Sequence, residues 1–388
     1  MKHFKLGFLV NPLAGIGGSV ALKGSDGAHT AAKALALGAQ PKANLRAKLA
    51  LEVLLPYKDK ITIYTANGDM GEDSAKDLGF NVEVVYHYKG ASEGRGSTAQ
   101  DSEQLVQALQ QQGVDLLLFA GGDGTARNVS HQVDGYFPVL GIPAGCKIHS
   151  GVYALTPTAA GRVVELMVNN ELVSFQQADV MDIDEAAFRT GVVKARRYGE
   201  MQIPSELQYI QAVKSGGKET DEMVLMDIAA HVIELMDEEL FVIGSGSTVA
   251  AVMEELTLTN TLLGVDLVKE QDLVATDVIE ADLYQAISDS QKQNKNPNQV
   301  KLVLTVIGGQ GHIFGRGNQQ LSPRVIRAIG KDNIIVVASK TKLQALNQRP
   351  LIVDTGDKQL DLELSGFIPV VTGFHDQVLY PVASPGLN

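Results

Sequence analysis

The chain has 388 residues, 45% of them hydrophobic and 20% charged, enough for two or three globular domains with a sizeable core. Its net charge of −12 sets nucleic acid and anionic membrane aside as main partners, and no apolar run approaches the roughly 18 residues of a transmembrane helix. A single cysteine, Cys146, excludes an internal disulfide framework and a thiolate zinc cluster, so a cytoplasmic α/β protein is expected.

Lys5–Val10 is a short apolar run ending at Asn11-Pro12. It lacks a cleavage-site pattern and reads as a first strand. Leu45–Leu55 has helical spacing, with Leu45, Leu49 and Val53 on one side. Ile61–Thr65 and Val82–Tyr88 read as strands, and Ser102–Gln111 as a helix with Leu105, Val106, Ala108 and Leu109 inward. Asp115–Ala120 is continuously apolar, as in a parallel sheet buried on both faces. Gly161–Val168 reads as a helix, and 174–204 as a small β-rich segment. Alternation then resumes: helix Asp221–Met236, strand Phe241–Gly244, helix Ser247–Leu256, strand Leu262–Val268 and helix Asp282–Ser288. Asn294–Asn298 is a polar turn before the strand Val300–Ile307. Ser322-Pro323 starts a helix, with Ser as N-cap and Pro at the first position. Ile334–Ala338 is a strand, and the last forty residues read as short strands. No internal repeat is present.

Four glycine clusters follow strands. In Asn11-Pro12-Leu13-Ala14-Gly15-Ile16-Gly17-Gly18, glycines would let backbone N–H groups approach a phosphate, although a plain turn uses the same residues. Gly121-Gly122-Asp123-Gly124-Thr125 is sharper. A carboxylate between glycines at the carboxyl end of a buried strand sits where open α/β sheets bind ligands. Asp123 could take a proton or hold Mg²⁺. Thr125 could cap the next helix or donate to phosphate, with Arg127 and Asn128 one turn on. In Gly244-Ser245-Gly246-Ser247-Thr248, a strand, a glycine loop and a helix N-terminus make an anion site. The Gly-Lys-Ser/Thr of a Walker A loop is missing. Gly308–Asn318 carries Gln310, His312, Arg316 and Asn318, followed by Gln319. Arg316 could clamp a phosphate bidentately, or the stretch could be a mobile surface loop.

The Asn11–Gly18 pattern, Gly121–Thr125 and Gly141-Ile142-Pro143-Ala144-Gly145 together resemble the diacylglycerol kinase, sphingosine kinase and NAD kinase superfamily. The likeness is nearest to the ATP- or polyphosphate-dependent NAD kinases. It extends through Lys147-Ile148-His149-Ser150, Asp182-Ile183-Asp184-Glu185 and 315–323, and so covers most of the chain. The resemblance implies Mg²⁺-dependent phosphoryl transfer from ATP or polyphosphate. It implies Asp123 near the acceptor hydroxyl or the metal, and the loops around Asn11 and Gly122 near the nucleotide. Gly244–Thr248 is similar to the phosphate loop of ribose-5-phosphate isomerase and to the Gly-Ser-Thr segment of ordinary NAD kinases. One departure stands out: ordinary NAD kinases hold the dinucleotide with an Asn-Glu or Asn-Asp pair. Here Asn170-Glu171 ends a helix and Asp184-Glu185 lies in the β-rich segment, neither with the expected surroundings.

Other features carry less. His149-Ser150, adjacent in sequence, is no catalytic dyad. The eight histidines show no metal-ligand spacing, which argues against zinc. Cys146 is a small packed residue. Lys194, Arg196 and Arg197 are a solvated strand face or a phosphate-facing patch. Asp182, Asp184 and Glu185 suit Mg²⁺ or ribose hydroxyls about as well as exposed alternation.

The expectation is therefore a doubly wound parallel α/β nucleotide-binding domain over 1–151, followed over 152–388 by a substrate-binding domain combining a β-rich segment with a further α/β layer. Asp123 is the catalytic residue and candidate Mg²⁺ ligand. Asn11, Gly15, Gly17, Gly18, Gly121, Gly122, Gly124, Thr125 and Asn128 face the nucleotide. Gly244, Ser245, Gly246, Ser247, Thr248, Gln310, Arg316 and Asn318 face substrate phosphate. The expected reaction makes NADP from NAD and ATP in a homodimer. A kinase of the same fold for another metabolite, or a non-catalytic nucleotide or sugar-phosphate sensor, are the alternatives.

Overall fold

The structure, a computed structural model, describes residues 3–22, 28–90, 96–146, 148–169, 171, 173–183, 195–206, 209–210, 222–294 and 300–386. The chain divides into two units. Met1–Ile16, Gly24–Val213 and Pro385–Asn388 form one; Gly17–Lys23 and Lys214–Ser384 form the other.

The first unit contains β1 (Phe4–Val10), α1 (Ala28–Ala36), α2 (Ala43–Glu52), β2 (Ile61–Ala66), α3 (Glu72–Asp77), β3 (Asn81–Tyr86), α4 (Ala99–Gln112), β4 (Leu116–Gly121), α5 (Asp123–Ser130), β5 (Val139–Pro143), α6 (Pro157–Val168), β6 (Ser174–Ile183) and β7 (Ala195–Ser205). The apolar runs that read as strands build a sheet of order β3-β2-β1-β4-β5 with every neighbouring pair parallel. All residues of β2, β4 and β5 are buried, as a sheet covered on both faces requires. From β1 the chain builds outward to β3, then returns to β4 on the other side. The order thus reverses between β1 and β4, where open α/β sheets bind ligands. The register runs from Leu6 opposite Leu116 to Val10 opposite Ala120, so both strands end side by side.

The β-rich segment is an antiparallel hairpin of β6 and β7. It belongs to the first unit, because the Gly151 N–H donates to the Asp179 carbonyl at 2.9 Å. The division expected at Gly151 therefore falls inside this unit, which runs on to Val213. Thr156 caps α6, accepting from the Ala159 N–H, and its hydroxyl donates to the Pro385 carbonyl at 2.6 Å.

The second unit contains α7 (Glu222–Glu234), β8 (Leu240–Ile243), α8 (Ser247–Glu255), β9 (Asp266–Lys269), β10 (Asp272–Ala275), α9 (Glu280–Asn294), β11 (Val300–Thr305), α10 (Pro323–Ile329), β12 (Ile334–Val337), α11 (Lys340–Gln344), β13 (Leu351–Ile352), α12 (Lys358–Leu364), β14 (Gly366–Gly373) and β15 (Asp376–Ala383). Its mixed sheet has the order β10-β9-β8-β11-β12-β14-β15-β13. Alternate residues of β8 enter separate cores: Leu240 and Val242 join one, Phe241 and Ile243 the other. That is the two-residue period of a strand covered on both faces. Among the described residues no helix is long and apolar enough to cross a membrane.

Three sequence readings differ from this unit or lie outside it. The strand expected from Leu262 starts only at Asp266. The buried Asp266 carboxylate accepts from the Thr261 and Asp277 N–H groups, which folds 261–265 into a turn. The last forty residues hold the helix α12 as well as strands. The polar turn expected at Asn294–Asn298 falls almost wholly outside the described residues.

The start of α12 is set by Asp357, whose carboxylate accepts from the Leu360 N–H at 3.0 Å and from Arg327 at 2.8 Å. The Arg327 guanidinium first, and that N–H second, hold the Asp357 carboxyl down at about 2. A lowered carboxyl pKa adds stability at neutral pH that is lost as pH falls from about 4 to about 2. Urea unfolding across that range should show a smaller fall in midpoint for Asp357→Asn than for the unmodified chain. Equal falls would mean that the carboxylate is not held in this way.

Candidate active site

Three glycine-bearing loops leave the carboxyl ends of β1, β4 and β5, and hydrogen bonds join them. The Asn11 N–H donates to the Ala120 carbonyl, and its Nδ2 donates to Thr125 Oγ1, both at 3.0 Å. The Gly121 carbonyl accepts from the Ala144 and Gly145 N–H groups, each at 2.9 Å. Gly15 has φ +73°, and a Cβ there would lie 2.2 Å from the Ala144 carbonyl oxygen. Only glycine tolerates both conditions. Cys146 Sγ donates to the Gly15 carbonyl at 3.4 Å, which bears out its reading as a packed residue.

Asp123 is the first residue of α5 and is 5% exposed. Its Oδ2 accepts from the His149 N–H at 2.7 Å and meets His149 Nδ1 at 3.0 Å. Its Oδ1 accepts from the Ser150 N–H at 3.1 Å and from Ser150 Oγ at 2.7 Å. A carboxylate offers about four lone-pair positions, and all are taken. The bond to Asp123 assigns the His149 proton to Nδ1. Ser150 Oγ has one proton and two acceptors, Asp123 and the Met181 carbonyl at 2.8 Å, while it accepts from the Met181 N–H at 3.0 Å. His149 and Ser150 thus matter through Asp123, a role that their adjacency in sequence concealed.

With all four donors in place no lone pair of the Asp123 carboxylate is unclaimed, so holding Mg²⁺ there would require one of them to give way. The nearby Asp182 is paired with Arg127 at 2.7 Å. That ion pair, rather than exposed alternation, accounts for Asp182. Lys147, Asn170, Asp184, Glu185 and Lys194 lie outside the described residues. Arg196 and Arg197 are exposed. Arg197 pairs with Asp179 and Glu200, and Arg196 lies over the Tyr198 ring.

Gly122, Gly124 and Asn128 are half-buried, the first two beside Asp123 and the last farther along α5. Gly17 and Gly18 belong to the second unit. Gly17 has φ −74° and ψ −15° and precedes a short 3₁₀ turn over Gly18–Val20, a conformation open to any residue.

In the second unit, Gly244–Thr248 leads from β8 into α8. The Gly244 N–H is used by the Val303 carbonyl and the Gly246 N–H by Leu262. Those two amides therefore do not face an anion. Ser245 Oγ donates to the Gly317 carbonyl at 3.2 Å, which brings this loop to the fourth glycine cluster. Lys342 Nζ donates to Thr248 Oγ1 at 2.8 Å. This is a cation that sequence reading missed at a loop without its own lysine. The local signal is only a helix start, with the Ser339 hydroxyl accepting from the Lys342 N–H. The pairing spans 94 residues.

The Gly308–Asn318 stretch is not a mobile surface loop: Gln310, His312, Arg316 and Asn318 are all buried. Asn318 Nδ2 donates to the Ile313 carbonyl at 2.9 Å, and the Ile313 N–H to Ile352. Arg316 is 3% exposed.

The four donors on Asp123 give a stability test. In Asp123→Asn, an amide NH₂ replaces one accepting oxygen. With the NH₂ turned toward Ser150, the hydroxyl can use Met181, but the Ser150 N–H is left unpaired. Such a buried donor costs about 1–3 kcal/mol. Urea unfolding should show a loss of that size. No loss would mean that the carboxylate does not hold the 149–150 segment.

The ATP-NAD kinase N-terminal domain model matches residues 6–172, and the ATP-NAD kinase C-terminal domain model matches residues 236–382. No curated protein matches the chain at a significant level. The first match takes in the loops after β1, β4 and β5 with Asp123, His149 and Ser150; the second takes in Gly244–Thr248, Gly308–Asn318 and Lys342. Spanning most of the sequence and both units, they show that the chain belongs to the ATP-NAD kinase family and is a kinase.

Proposed function

We propose that the chain transfers the terminal phosphoryl group of ATP to a ribose hydroxyl of NAD, with the first unit as the kinase domain and Asp123 as the base. The observation that carries this reading is the Asp123 carboxylate fixed among three glycine-bearing loops at the switch point of a parallel sheet. The family's printed name, ATP-NAD kinase, supports ATP as donor and NAD as acceptor. The net charge and the single cysteine fit a cytoplasmic setting.

In the proposed step the ribose oxygen bonds to the terminal phosphorus, the bond from that phosphorus to the bridging oxygen breaks, and ADP leaves. The hydroxyl proton passes to Asp123. Asp123 needs a lone pair for this, and Ser150 supplies it. When the Ser150 proton turns from Asp123 Oδ1 to the Met181 carbonyl, a position on Oδ1 opens without leaving the hydroxyl unpaired. Asn11 and Thr125, bonded to each other, would frame the loops around the donor. Mg²⁺ accompanying ATP would supply charge neutralisation on the phosphates. In the second unit, Ser247, Thr248 and Lys342 are the proposed phosphate contacts, with Gly244–Gly246 shaping the turn.

A coupled assay of NADP formation tests this reading. Asp123→Asn, assayed where it is folded, should lose roughly two to four orders of magnitude in turnover, the scale of a lost general base. Near-normal turnover would remove Asp123 from the chemistry. Ser150→Ala should stay within about tenfold of the unmodified chain, because it releases Asp123 and keeps the Ser150 N–H. A loss equal to that of Asp123→Asn would give Ser150 a direct part. Lys342→Met should raise KM for NAD more than KM for ATP, and equal changes would separate Lys342 from acceptor binding.

A further inference from the structure

Sequence spacing shows no metal pattern among the histidines, but the fold of the second unit builds one. His231 and Glu234 lie three residues apart near the end of α7, hence on one helical face. His375 lies in the turn between β14 and β15, 144 residues beyond His231. Its φ of +51° is a left-handed conformation uncommon outside glycine. Glu234 Oε2 is 2.8 Å from His375 Nε2 and 3.9 Å from His231 Nδ1. One ligand atom from each residue lies within 4.8 Å of the other two. A tetrahedral ion with bonds of about 2.0–2.1 Å sets its ligands about 3.4 Å apart, so small side-chain movements complete three corners.

His231 is 6% exposed, and the ring nitrogen that faces Glu234 is Nδ1. That Nδ1 receives only a long 3.4 Å contact from the His375 N–H, which an ion would displace, while Nε2 is buried without a hydrogen-bond partner. Burying an imidazole so poorly paired is costly. The rings of Phe374 and His375 pack edge-on against it, with centroids 6.2 and 5.2 Å away, and orient it. Glu234 and His375 are 51% and 61% exposed, so water can reach a fourth position.

We infer that His231, Glu234 and His375 bind a divalent transition cation of the zinc, cobalt or nickel type, which ties the end of α7 to the β14–β15 turn. Two imidazoles and one carboxylate select such ions over Mg²⁺. The site shares no residue with the kinase chemistry proposed above and stands or falls independently of it.

The test uses the full-length untagged chain, stripped with chelator, desalted and titrated with Zn²⁺ and with Co²⁺. One ion should bind per chain, Co²⁺ should show the visible absorption of a low-coordinate site, and Zn²⁺ should raise the melting temperature. His375→Ala and Glu234→Gln replace exposed side chains. Each should weaken Zn²⁺ binding by at least about 100-fold, no less than the loss of an outer-shell partner, and each should abolish the Co²⁺ band. If either variant fails to fold, the Co²⁺ spectrum of the unmodified chain still decides. Absence of saturable binding, absence of the band, or unchanged Zn²⁺ affinity in both variants would overturn the inference.

Discussion

The first unit depends on one buried carboxylate. Asp123 starts α5 directly after β4 and gathers the main chain of residues 149 and 150, which follow β5, onto itself. Without it, two N–H groups, a hydroxyl and an imidazole nitrogen would lose their shared acceptor. The same residue therefore shapes the site and is proposed to do its chemistry. A group that is held so firmly cannot also hold a metal or accept a further proton unless one donor gives way. Ser150 is the donor able to do so at little cost, because its hydroxyl already has the Met181 carbonyl as an alternative.

The frame of the fold was legible because its signals are local. Apolar runs such as Leu116–Ala120 became the buried parallel strands, and Ser322-Pro323 capped its helix as expected. Gly121–Thr125 stood out as a candidate site because a carboxylate between glycines after a buried strand sits where open α/β sheets bind ligands. What the sequence concealed is set by long-range pairing. Asn11 with Thr125, Thr248 with Lys342 and His231 with His375 are separated by 114, 94 and 144 residues. No local pattern encodes those contacts.

Two stretches show where local composition stops being informative. The boundary expected at Gly151 followed a change in composition, yet the β6–β7 hairpin is bound to the first unit through the Gly151 N–H. For the Gly308–Asn318 stretch the sequence left a mobile surface loop open beside a phosphate site. In the fold, positive φ at Gly309, Gly311, Gly315 and Gly317 lets the chain turn tightly enough to bury Gln310, His312 and Arg316. Glycine content alone cannot separate a loop that moves from one that is coiled into a core.

A structure of the chain with NAD bound tests the central claim most directly. The expected result is a ribose hydroxyl within about 2.6–3.2 Å of an Asp123 carboxylate oxygen, with Ser150 Oγ turned to the Met181 carbonyl. A dinucleotide seated in the protein while Asp123 keeps all four donors from His149 and Ser150, with no ribose oxygen in reach, would contradict it.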